Sequence, residues 1–112
     1  MKLYIDSCDI RNIEILCGML EISGVTTNPS IIASSGRKPE EVIRELCGIL
    51  SPAQALFVQA VQTDFEGIMA EARQIAALRP ANAFVKIPVT RDGLRAMREC
   101  KKEGIGVLAT AI

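Results

Sequence analysis

A lysine lies within a short run of aliphatic and aromatic residues, Ala83-Phe84-Val85-Lys86-Ile87-Pro88-Val89, and it is the group whose setting first suggests chemistry. An ammonium in an apolar strand is costly unless it is paired or made neutral. A neutral amine held there attacks carbonyl carbon and forms an imine. The plainer reading is a lysine that reaches solvent at the strand end or pairs with Asp6, and periodicity alone leaves both open. Asp6 ends a similar run, Leu3-Tyr4-Ile5-Asp6. Asp9 suits the cap of the helix that follows, whereas Asp6 comes too early for it and reads as a proton-transfer partner or a structural ion pair. Gln59 and Thr110 close two further apolar runs with uncharged groups able to hold a water, although each taken singly also suits a satisfied polar group of a core. Thr26 and Asn28 lie on one side of a fourth run; Pro29 keeps Asn28 extended, which would aim its amide, although Asn-Pro also suits a plain turn.

The sequence lacks histidine, the commonest metal ligand and general base, and its four cysteines show no CxxC spacing. No metal or cofactor is expected. The thiols read as reduced, in a cytosolic protein; Cys17, Cys47 and Cys100 fall in helix-like segments as small apolar fillers. The formal charge of zero over 112 residues gives no basic footprint for nucleic acid. Asp6, Asp9 and Glu14 are incompatible with a secretory signal at the start, and no segment approaches the ~20 apolar residues of a membrane span.

These groups must be positioned by the elements around them. Strands are expected at Leu3-Tyr4-Ile5, Gly24-Val25-Thr26-Thr27, Ala55-Leu56-Phe57-Val58, Ala83-Phe84-Val85 and Gly106-Val107-Leu108. Helical spacing joins Ile10, Ile13, Leu16 and Leu20; Val42, Ile43, Leu46 and Ile49; Ile68, Met69, Ala72 and Ile75; and Leu94, Met97 and Cys100. Thr63 with Glu66 predicts a capping box, Pro39 a first helical position, and Gly104 after Lys101 and Lys102 a helix end. Ser34-Ser35-Gly36 reads as a loop.

This βαβαβαβαβ order implies a parallel sheet covered by helices. Within the strands, one side carries an apolar residue and then a polar one: Tyr4 then Asp6, Thr26 then Asn28, Phe57 then Gln59, Phe84 then Lys86, Leu108 then Thr110. The other side, Leu3, Ile5, Leu56, Val58, Val85, Ile87 and Val107, is aliphatic and suits a helix-covered exterior. The expectation is an α/β fold of the (β/α)8 barrel type, here residues 1–112 as one partial barrel domain of about four βα units and a fifth strand. Its polar ring would sit at the C-terminal face, where barrel enzymes keep their chemistry.

The runs Gly24-Val25-Thr26-Thr27-Asn28-Pro29-Ser30-Ile31-Ile32 and Val85-Lys86-Ile87-Pro88-Val89-Thr90, with Leu3-Tyr4-Ile5-Asp6 before them and Gly93-Leu94, Glu103-Gly104-Ile105 and Ala109-Thr110-Ala111 after, resemble the small transaldolases and fructose-6-phosphate aldolases. The resemblance covers essentially the whole chain. It implies a metal-free Schiff-base mechanism in which Lys86 attacks a ketose C2 carbonyl and the C3–C4 bond then breaks. Asp6 corresponds to the carboxylate that assists proton transfer, Asn28 and Thr26 to donor contacts, and Thr110 to the hydroxyl that helps hold the catalytic water. At Gln59 the transaldolases resemble one another in having Glu and the aldolases in having Gln. The implied substrate is a sugar phosphate or dihydroxyacetone.

A complete barrel of this kind needs about 250 residues. The last three strands, an aromatic residue of the water site and the Ser and Arg that grip phosphate in this family have no counterpart in the sequence. Two unpaired sheet edges would then invite another chain, either a second copy or a complementing C-terminal half. The alternatives are a flavodoxin-like or receiver-like binding domain, and an inactive fragment with a role in assembly. A phospho-receiver needs an aspartate at the end of its third strand, where Gln59 stands.

Overall fold

The computed structural model describes residues 2–79 and 82–110. Ala111, and the side chains of residues 29–31, which belong to the family-like runs, lie outside the described residues. In chain order the elements are β1 (Tyr4–Asp6), α1 (Ile10–Met19), β2 (Gly24–Thr27), α2 (Pro29–Ser34), α3 (Pro39–Ile49), β3 (Ala55–Gln59), α4 (Phe65–Leu78), β4 (Ala83–Pro88), α5 (Arg91–Lys102) and β5 (Gly106–Thr110). All neighbouring strands pair in parallel, in the order β1-β2-β3-β4-β5. A flavodoxin-like sheet reverses its strand order at a switch point. This one runs straight through, so every right-handed crossover returns its helix to the same face, which is the winding of a barrel.

The covered face carries the core. Val25, Leu56, Val85 and Ile87 are fully buried against Ile13, Val42, Leu46, Ile68, Met69 and Ala96 of the helices. Leu3 departs from the expected exterior set: it precedes β1 and is 38% exposed. On the other face Tyr4 and Leu108 are 45% and 43% exposed, because five strands curve only part of the way round and leave the inward row open to solvent.

Local chemistry explains the helix boundaries. Asp9 caps α1, its carboxylate accepting from the Asn12 amide at 3.2 Å. Pro39 opens α3 in its first turn, followed by Glu40 and Glu41 at the positive end of the helix dipole. Gly104, with φ of +75°, ends α5 in a Schellman turn: Ile105 N–H donates to Cys100 O at 2.9 Å and Gly104 N–H to Lys101 O at 3.2 Å. Two expectations are corrected. The cap of α4 is Asp64, which accepts from Gly67 N–H, and not Thr63, so the box with Glu66 does not form. After β2 the chain turns at once into α2, a short helix in which the Ile32 amide donates to Asn28 O at 3.1 Å. Pro29 at its first position has no N–H to lose, so the residues that resemble a turn also suit a helix start.

Candidate active site

Strand register determines which of the candidate groups face one another. Asp6 is abreast of Thr26, Thr26 of Phe57, Phe57 of Phe84 and Phe84 of Gly106. Gln59 and Lys86 are paired with each other two residues further along their strands, level with Asn28 just beyond the end of β2. Thr110 is paired with Pro88, four residues beyond the Gly106 row. In an eight-stranded barrel of shear eight, a level line around the axis climbs about one residue per strand. From β1 to β5 the polar groups climb at that mean pitch. Asp6, Asn28, Gln59, Lys86 and Thr110 therefore lie near one height, each within about one residue, or roughly 3.3 Å, of the level line. The register converts five strand-end residues into an arc at the C-terminal rim.

Below the arc lies an aromatic floor. Tyr4 meets Phe57 edge-on with ring centroids 5.7 Å apart, and Phe57 stacks on Phe84 at 5.1 Å. Gly106 makes room for this floor, since a Cβ there would come within 2.7 Å of the Phe84 ring. Lys86 is half-buried, and among the described residues no carboxylate lies within 4.0 Å of its ammonium. The ion pair with Asp6 that the sequence left open is not formed. Asp6 instead accepts a hydrogen bond from the Thr26 hydroxyl, Oγ1 to Oδ1, at 2.8 Å. Its neighbours hold the strand end: Ser7 N–H donates to Thr26 O at 3.1 Å, and the Asp9 amide donates to the Ser7 hydroxyl at 3.0 Å.

Strong charge pairing lies elsewhere. The Arg37 guanidinium holds the Glu45 carboxyl below its usual range, and Arg73 does the same to Glu103. Burial pushes the Cys100 thiol up. No group of three or more His, Cys, Asp or Glu side chains is gathered among the described residues, and no described helix is long and apolar enough to cross a membrane.

Two hollows formed by the described residues are not lined by Lys86. One, of about 550 Å³, lies on the helical side between α3 and α4, lined by Ile43, Val58, Ile75 and Leu78, and reaches Gln59 where β3 ends. The other, of about 690 Å³, lies on the inward face around Tyr4, Phe57 and Phe84, near the N-terminal ends of the strands. Among the described residues, the arc is an open wall rather than a closed pocket. Sequence reasoning found its members by alternation and missed the Thr26–Asp6 bond, which becomes visible once β1 and β2 are aligned.

The family model described as Transaldolase/Fructose-6-phosphate aldolase matches residues 3–112. A probable transaldolase of Agathobacter rectalis is 42% identical over 112 residues, covering 100% of this chain and 51% of the relative. Probable transaldolases of Citrifermentans bemidjiense and Geobacter metallireducens are 40% and 42% identical over 113 residues, again with 51% of each relative covered. The chain spans about half the length of these curated relatives. A match over almost every residue, with Lys86 and its neighbours on the inward face of a singly wound parallel sheet, places the chain in the transaldolase and fructose-6-phosphate aldolase family.

Proposed function

We propose that this chain supplies the imine-forming part of a class I aldolase or transaldolase that acts on a ketose phosphate such as fructose 6-phosphate. The observation that carries the reading is the position of Lys86: inward-facing, above an apolar aromatic floor, beside Gln59 and with no described carboxylate within 4.0 Å of its nitrogen. The Lys86 amine adds to the ketose C2 carbonyl, and loss of water gives an imine. The C4 hydroxyl gives up its proton, the C3–C4 bond breaks, and an aldehyde leaves. The electron pair remains on C3 as an enamine of dihydroxyacetone.

Asp6 moves protons to and from the sugar hydroxyls and C3, Gln59 and Thr110 hold the water, and Asn28 orients the donor. Protonation and hydrolysis of the enamine complete an aldolase cycle; addition to a second aldehyde completes a transaldolase cycle. Gln59, an amide in place of a carboxylate, favours the first. The second reading draws on the curated relatives, which are named probable transaldolases.

The open inward wall and the free edges of β1 and β5 support a further element of the reading, that the working site is completed by another polypeptide segment, either a second copy or the equivalent of the relatives' other half, in the cytosol. Dihydroxyacetone plus borohydride, followed by peptide mass mapping, tests the chemistry. A reduced adduct on Lys86 alone is expected; labelling spread over surface lysines, or none when the other half of a relative is supplied, would overturn it.

A further inference from the structure

The Thr26 hydroxyl has one proton, and it is given to Asp6 Oδ1 at 2.8 Å. That leaves Thr26 only its oxygen lone pairs for a bound sugar, so the substrate contact implied by resemblance would be one in which Thr26 accepts. The two residues are abreast in the β1–β2 ladder, and the next rung, Ser7 N–H to Thr26 O at 3.1 Å, ties their backbones. Thr26 is half-buried, and its branched Cβ restricts χ1, so the hydroxyl is a stiff post. An aspartate χ2 is otherwise a broad, nearly two-fold torsion. With Oδ1 engaged, the carboxylate plane is set, and among the described residues Oδ2 has no hydrogen-bond partner.

We infer that Thr26 is a positioning residue, acting through Asp6: it fixes the carboxylate plane so that Oδ2 is the oxygen that exchanges protons with the Lys86-bound donor. This role rests on the aldolase reading above. The step it serves is balanced. The protonated imine (iminium) of dihydroxyacetone on Lys86 loses a proton from the hydroxymethyl carbon to Oδ2, directly or through a water, and the C–H electron pair closes the enamine while the iminium nitrogen becomes neutral. Return of a proton from Asp6, exchanged with solvent, restores the imine. In D2O this half-reaction writes deuterium into dihydroxyacetone without any cleavage or phosphate contact. A proton acceptor that wobbles loses rate, whereas imine formation at Lys86 does not require it.

The test measures two quantities on the full chain with dihydroxyacetone: borohydride trapping at Lys86, and deuterium incorporation into the ketone by NMR. Thr26→Val, of the same shape without the hydroxyl, is expected to slow exchange about tenfold while trapping stays within about twofold of the parent, and Thr26→Ser to restore exchange. In an Asp6→Asn background, Thr26→Val is expected to change nothing further. Should the valine variant fail to fold, Thr26→Ala in both backgrounds gives the same comparison. Exchange unaffected by loss of the hydroxyl, failure of serine to restore it, or trapping that falls in step with exchange would each overturn the positioning role. So would a parent chain that traps donor but does not exchange. A parent chain with no adduct on Lys86, even with the other half of a relative supplied, overturns the aldolase reading itself, and this role with it.

Discussion

Lys86 on β4 and Gln59 on β3 face each other in register, an amine opposite an amide rather than opposite a carboxylate. A half-buried lysine with no described ion pair contributes little to the fold through its charge. Lys86→Met, which keeps the chain length and removes the amine, is therefore expected to leave unfolding free energy unchanged or raise it by up to about 1 kcal/mol in urea titration. The same variant should lose all borohydride adduct. A clear loss of stability would show that Lys86 serves the fold instead.

Much of the rim was legible because a strand alternates sides. Once Phe84 was placed inward, Lys86 had to follow, and the same counting placed Gln59 above Phe57 and Thr110 above Leu108. The level arc was not legible, since its height depends on how far each strand slides past the next, a property of the sheet rather than of any segment. The partner of Asp6 was hidden for the same reason: Thr26 is twenty residues away and becomes adjacent through β-pairing. The cap of α4 went to Asp64 because Thr63 and Asp64 both carry capping oxygens, and a one-residue choice between them follows from the backbone.

Arg79 is a buried cation that sequence patterning did not mark. It follows α4, and its guanidinium donates to Ser51 O at 2.9 Å and to Gln54 O, carbonyls of the segment between α3 and β3. Arg79→Met keeps the apolar stem but strips those carbonyls of a charged donor. A loss of about 2 kcal/mol in urea unfolding, with trapping at Lys86 retained, is expected.

The four thiols should separate by burial. Cys8 and Cys100 are buried, while Cys17 and Cys47 are half-buried on α1 and α3. Desolvation raises the Cys100 pKa, which lowers its thiolate fraction at any given pH. Labelling with a disulfide reagent at neutral pH is expected to be fast at Cys17 and Cys47 and slow at Cys8 and Cys100 until urea unfolds the chain. Fast reaction of Cys100 in the native state would show that α5 opens from the sheet.

Glu103, just past α5, joins that helix to α4 through a two-pronged pair with Arg73, at 3.0 Å from Nε and 2.8 Å from Nη2. The guanidinium depresses the Glu103 pKa, so the pair's contribution is present above about pH 4.3, the ordinary glutamate value. It is lost as pH falls through the lower folded value. Glu103→Gln should thus melt below the parent at pH 7, with the two Tm values converging at acid pH. A difference that persists unchanged into acid would assign the effect to packing.

Gly93 and Gly48 should respond oppositely to the same methyl group. Gly93 lies in the first turn of α5, where the helix presses on the strand end that carries Lys86, and a Cβ there would sit 2.0 Å from Pro88 O and 2.9 Å from the Thr90 hydroxyl that caps the helix. Backbone oxygen cannot swing aside as a side chain can. Gly93→Ala must either push α5 away from β4 or distort Pro88, and a loss of about 2 kcal/mol or more is expected, of the size seen for overpacked sites. Gly48 lies within α3 with nothing within 4 Å of its added Cβ. There alanine reduces the freedom of the unfolded chain and suits the helix, for a gain of about 0.5–1 kcal/mol. Thermal melts of the two variants read the signs directly. If Gly93→Ala proves neutral, the contact between α5 and Pro88 is looser than its geometry requires, and Lys86 loses the support that this packing gives the end of β4.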